Sequence, residues 1–198
     1  MKDRFLTIII LALLFSCADN TKSDNRNIEE ITTSKGLVGD FDREKFPILQ
    51  NAILLKLDGK LEQSIIEFDN AENEYGKMIQ IYLNRGIAFD QLGQMEKAEN
   101  DFTNCLKLDS TYLPALLNRG LIYTHSNRID KALADFNKAI ELEPSEPASY
   151  LNRAVANRKA NQIQLACNDL QKAKSLGIRE KYGSDMTDKM IADLNCKE

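Results

Sequence analysis

The chain is poor in the residues that enzymes use. It holds one histidine, His125, beside a turn signal, so a Ser-His-Asp or Cys-His constellation or a histidine-ligated zinc would have to be built on that single ring. It reads better as a solvated or groove-lining side chain. There is no glycine-rich phosphate loop and no His-Glu-x-x-His. Carboxylates are plentiful, yet they lie scattered along helix faces. The expectation is a protein that is not an enzyme and uses neither metal nor cofactor. Basic residues are outnumbered, 26 against 30 acidic, for a net charge of −4, and no Lys/Arg-rich run with interleaved aromatics occurs, which argues against a nucleic-acid partner. Long apolar runs are also scarce. The one that stands out, from Phe5 to Phe15, is too short to span a bilayer in the ordinary way.

What is present begins with that run. Lys2 and Arg4 precede it and Ser16 and Cys17 follow, the pattern of a signal peptide over residues 1–16. The stretch Leu14-Phe15-Ser16-Cys17 resembles a bacterial lipobox, in which cleavage falls before the cysteine and the cysteine carries the lipid; a conventional secreted protein cut nearby is the alternative. The resemblance implies acyl chains on Cys17, enough for stable membrane anchoring, and a lipid-anchored protein of the bacterial cell envelope, on the periplasmic side or at the outer membrane. Residues 17–40 are polar, aromatic-poor and without helical period, and read as a tether.

The body of the chain repeats. Ala52, Gly86, Gly120 and Ala154 follow one another at 34 residues, inside "LNRG", "LNRG" and "LNRA" for the last three. Twelve residues after each stands a small residue, Ser64, Ala98, Ala132 or Ala166, and four further on a large apolar one, Phe68, Phe102, Phe136 or Leu170. Turn signals, Asp58-Gly59, Leu92-Gly93, Ser126-Asn127 and Ala160-Asn161, fall between.

Gly86-x-x-Phe89 with Ala98-x-x-x-Phe102, and Gly120-x-x-Tyr123 with Ala132-x-x-x-Phe136 and Pro144, resemble the tetratricopeptide repeat, a helix-turn-helix unit of 34 residues. The resemblance implies an all-α solenoid over residues 41–180 of four units, about 45–78, 79–112, 113–146 and 147–180, giving eight helices. A capping helix over 181–198 would follow, with Ser184 as its N-cap and Met186, Met190, Ile191 and Leu194 on one face. Asn157 stands where the family has an aromatic, and Ser64 where it has alanine.

Such scaffolds bind protein or peptide partners, and the first helix of each unit lines the concave side. That places Gln50, Leu83, Asn84, Ile87, Leu117, Asn118, Leu121, Leu151, Asn152 and Val155 on one face, with Arg158 and Lys159 making its far end basic. The asparagines are similar to those with which the tetratricopeptide domains of O-GlcNAc transferase and of co-chaperones hold extended peptide backbone, since a carboxamide both donates and accepts. The opposing reading is that they bond their own helix or water. Arg85, Arg119 and Arg153 each have an aspartate 16 residues on, Asp101, Asp135 and Asp169, which suggests ion pairs within each unit. An adaptor for assembly of an envelope complex, or a glycan-binding enzyme accessory, are the other functions such a chain can serve. Cys105 occupies the slot of Ala71, Ala139 and Ala173 and reads as core, whereas Cys167 and Cys196 are either a disulfide holding the terminal element or two free thiols.

Overall fold

The computed structural model describes residues 45–183 and 185–196. The expected signal peptide, Cys17, the tether and Ser184 lie outside the described residues. Among those described there are ten helices: α1 Pro47–Leu57, α2 Leu61–Tyr75, α3 Ile79–Gln91, α4 Met95–Leu108, α5 Leu113–His125, α6 Ile129–Leu142, α7 Pro147–Lys159, α8 Ile163–Ser175, α9 Ile178–Tyr182 and α10 Met186–Asp193. The first eight form four antiparallel hairpins, each packed on the next. Where the sequence suggests one capping helix, two short ones stand, because Gly183 turns the backbone left-handed (φ 66°) between them.

Each hairpin turns in the same way. Lys60, Gln94, Arg128 and Gln162 each donate a backbone N–H to the carbonyl five residues earlier, and the residue before each, Gly59, Gly93, Asn127 or Asn161, has φ between 59° and 75°. This is the 6→1 closure of a helix C-terminus around a left-handed residue, which glycine and asparagine tolerate best. The turn signals of the sequence are therefore a geometric requirement repeated four times.

Between the helices the small and large residues interlock. Ala98, Ala132 and Ala166 are fully buried, as are Ser64, Phe68, Phe136 and Leu170. A Cβ on Gly120 would stand 2.5 Å from Cε1 of Phe136, and one on Gly86 2.8 Å from that of Phe102, so glycine sets the helix separation in the two central units. Each cluster of core residues borrows from the following unit, Ile81 completing that of the first hairpin and Ala115 and Ile122 that of the second. Burial thus passes from neighbour to neighbour, as in a one-dimensional stack.

The arginines fasten the stack. Arg85 donates Nε and Nη2 to Asp101 (2.8 and 2.9 Å), Arg119 to Asp135 (both 2.8 Å) and Arg153 to Asp169 (2.9 and 2.6 Å), pairing the two helices of each unit. The third nitrogen, Nη1, reaches the previous unit, to Asp69 and Glu72 from Arg85, to Thr103 from Arg119 and to Asn137 from Arg153. Burial works against the charge on Arg85, yet the hydrogen bonds it donates to Asp101 and Glu72 hold its pKa above the ordinary value. Burial raises Asp101 even with the guanidinium beside it, so the pair contributes more to register than to net stability.

The C-terminal end is closed by α9 and α10. Ile178, Met186 and Met190 are buried in the core of the last two units, and Cys167 and Cys196 form a disulfide with Cα atoms 5.4 Å apart. Buried Glu146 ties α9 to the start of α7, accepting from Tyr182 Oη (2.8 Å), Lys181 Nζ and the Ala148 amide.

Candidate functional site

Helices α1, α3, α5 and α7 touch one another in sequence, while α2, α4 and α6 each pack on the inner helices to either side and α8 packs on α7 and on the terminal helices α9 and α10. The inner row forms the concave face. Along it two 34-residue series meet: Gln50, Asn84, Asn118 and Asn152 near the middle of each helix, and Lys56, Asp90, Thr124 and Arg158 one to two turns further on. Lys56 shows how the series relate, because its Nζ donates to Asn84 Oδ1 of the next unit at 2.6 Å. At this junction the later residue of one unit thus meets the amide of the following unit.

The asparagines are floor, not rim. Asn84, Asn118 and Asn152 are 2%, 2% and 1% exposed, and Leu83, Ile87, Leu117, Leu121, Leu151 and Val155 beside them are buried as well, while Gln50 is half-buried. Asn84 and Asn118 donate Nδ2 to the carbonyls of Gln80 and Pro114 four residues earlier (both 2.8 Å). They therefore carry the structural bond that the opposing sequence reading gives them. Their remaining capacity differs along the row. Asn84 Oδ1 is taken by Lys56, whereas Asn118 Oδ1 and Asn152 Nδ2 are buried without a hydrogen-bond partner among the described residues.

The charges on the second series are unusual. Burial lowers Lys56 to about 8, and its bond to Asn84 is to a neutral amide. Burial raises Asp90 to about 6; unlike Asp101, Asp135 and Asp169, it has no arginine. Arg158 is half-buried and forms no ion pair among the described residues. Lys159, the other expected cation, turns back to donate to the carbonyls of Thr124 (2.7 Å) and His125 (3.1 Å), where it caps the C-terminus of α5. Burial, then the Lys159 charge, lowers His125, whose Nδ1 is buried without a partner. Among the described residues no group of histidines, cysteines and carboxylates is arranged to hold a metal, and no helix is long and apolar enough to cross a membrane.

On the outer side two shallow clefts, about 450 and 380 Å³, have Arg85–Asp101 and Arg119–Asp135 among their lining residues, where the ionic groups are already paired with each other. The sequence reading of the groove does not include Lys56, whose bond to Asn84 only the structure shows. The only signal for it was the 28-residue offset between Lys56 and Asn84, which the repeat carries forward to Asp90 and Asn118.

A stack of hairpins with inner helices in contact, Gly/Ala against Phe, and arginine fasteners defines a helical-repeat scaffold. The tetratricopeptide repeat model matches residues 79–112 and 114–146, so the second and third units are tetratricopeptide repeats. A solved tetratricopeptide repeat protein from Parabacteroides merdae superimposes with a TM-score of 0.64 at 23% identity over 77% of this chain, which spans 61% of that protein's length. MamA from Desulfovibrio magneticus RS-1 gives 0.63 at 17% identity, covering 80% of this chain and 95% of that one. The second tetratricopeptide domain of human RPAP3, solved in complex with the HSP70 peptide SGPTIEEVD, gives 0.54 at 22% identity over 58% of this chain and 97% of the domain. At these identities the likeness is one of fold. No curated protein matches the sequence.

Proposed function

We propose that the chain is a non-catalytic scaffold of the bacterial cell envelope, anchored through lipid on Cys17, that holds an extended segment of another protein along the concave face of its repeats. Tetratricopeptide repeats mediate protein–protein interaction. The observation that carries the reading is the pair of orphaned amide atoms, one acceptor on Asn118 and one donor on Asn152, on neighbouring inner helices. Buried polar atoms are rarely left unpaired, and a peptide group supplies the N–H and the C=O that these two lack. Because both atoms are shielded from water, binding requires the inner side chains above them to shift as the segment settles. Unpaired Arg158 favours a segment with a carboxylate toward the fourth repeat, and the acidic peptide on the RPAP3 domain shows that this fold accommodates such a ligand.

The test is selection of phage-displayed random nine-residue peptides on the purified chain. Enriched peptides are expected to carry an acidic residue, to lose at least about tenfold in affinity to Arg158→Glu, and to weaken on Asn118→Ala/Asn152→Ala. No enrichment, or affinities indifferent to all three substitutions, would refute the groove. Replacement of Cys17 by serine should move the protein from the membrane to the soluble fraction, and continued membrane association would refute the anchor.

A further inference from the structure

The first and second inner-helix junctions differ by a reversal of charge. At the first, the Lys56 ammonium lies against Asn84 Oδ1 at 2.6 Å, with the Asn84 amide nitrogen bound to its own helix. At the second, Asn118 repeats that arrangement, its nitrogen held by Pro114 O, but Oδ1 has no partner and the residue in the place of Lys56 is Asp90. The 34-residue repeat maps Asp90 onto the place of Lys56, so a carboxylate takes the position from which the preceding junction supplies a cationic donor to the amide oxygen. Asn118 is 2% exposed, so its oxygen is out of reach of bulk water. The buried aspartates Asp101, Asp135 and Asp169 each have an arginine at 2.9 Å or less, whereas half-buried Asp90 has no ion pair among the described residues.

We propose that the Asp90–Asn118 junction is a subsite for a lysine or arginine side chain of the bound segment, whose cationic nitrogen donates to both oxygens. The inference rests on the groove reading above and specifies its ligand. The Lys56–Asn84 contact shows that this junction geometry admits an ammonium beside the amide oxygen. Burial raises Asp90 to about 6, consistent with a carboxylate that has no countercharge in the unliganded protein. The subsite also fixes spacing. Asp90 and Arg158 occupy equivalent places two units apart, and inner helices about 9–10 Å apart put them about 19 Å from each other. An extended chain covers that distance in about six residues. The segment that fits this groove carries a basic and an acidic side chain about six positions apart, with peptide groups between them over Asn118 and Asn152.

The same random nine-residue library, selected in parallel on the wild-type chain and on Asp90→Asn and Asp90→Lys, tests this. The wild type should enrich peptides with a basic residue five to seven positions from an acidic one. On Asp90→Asn the acidic preference should persist and the basic one disappear, and a synthetic consensus peptide should bind that variant about tenfold more weakly. Asp90→Lys, which recreates the first junction by placing an ammonium against Asn118 Oδ1, should exclude basic side chains altogether while remaining folded by circular dichroism. Enrichment of acidic peptides without a basic position, or a basic preference that survives in Asp90→Asn, overturns the subsite and leaves the groove standing. Failure of every selection overturns both.

Discussion

Lys56 offers the most direct check on the inner face, because its buried ammonium has a neutral amide and no carboxylate for company. Burial lowers its pKa from 10.5 to about 8. Below pH 8 the side chain is protonated in folded and unfolded states alike, and the folded state bears the whole cost of the buried charge. Between pH 8 and 10.5 the folded state releases its proton first, so stability rises with pH through that window. At about 1.4 kcal/mol per tenfold change in proton affinity, the cost is about 3 kcal/mol at pH 7 and about 1 kcal/mol at pH 10. Lys56→Met removes the charge, but it also strips Asn84 Oδ1 of its donor at a cost of about 1–2 kcal/mol. The variant should be more stable than the wild type at pH 7 by about 1–2 kcal/mol and lose that advantage by pH 10. Urea unfolding of both proteins at pH 7, 8.5 and 10 measures it, with Tyr82 and Cys105, which also titrate differently on folding, cancelling in the comparison. A stability difference that stays constant across the three pH values would show that Lys56 is not buried as a charge, and the reading of the first junction would fail.

Gly120→Ala places a methyl 2.5 Å from Phe136 and should destabilise by about 1–3 kcal/mol in denaturant unfolding. Adding Phe136→Leu should recover much of this, since the fourth unit already combines Ala154 with Leu170. Asp135→Ala leaves the Arg119 guanidinium half-buried with only Thr103 Oγ1 at 3.3 Å, and is expected to cost about 2–4 kcal/mol, against less for Asp135→Asn. Thermal unfolding of the pair distinguishes lost charge from lost shape. Cys167→Ser should lower stability by about 3.6 kcal/mol, the loop-closure value for a 29-residue separation, and mass spectrometry after alkylation should show two blocked thiols in the oxidised wild type.

Much of the fold was legible because it is periodic. Gly59, Gly93, Asn127 and Asn161 announce four turns by the left-handed backbone each must adopt, and Ala98 with Phe102 or Ala132 with Phe136 announce helix pairs by their sizes. The Arg–Asp pairs were visible as a constant 16-residue offset. The short helix α9 before Gly183 was less visible, since the sequence reading starts the capping helix at Ser184 and five residues are too few to show a helical period. The asparagines were visible as a row but not as a buried one. Exposure depends on how closely α3, α5 and α7 approach, and no residue type reports that distance.

Sequence alone determined the repeat, its hairpins and its helix fasteners, because each follows from contacts within one unit or a constant offset to the next. Which polar atoms end up satisfied was decided by tertiary structure. Asn84 and Asn118 sit in identical local sequence, Leu-Asn-Arg-Gly, and make the same bond to their own helix. One is completed by Lys56 and the other is left without a partner, because stacking brings Lys56 onto Asn84 while the repeat puts Asp90, an acceptor, in the corresponding place of the next unit.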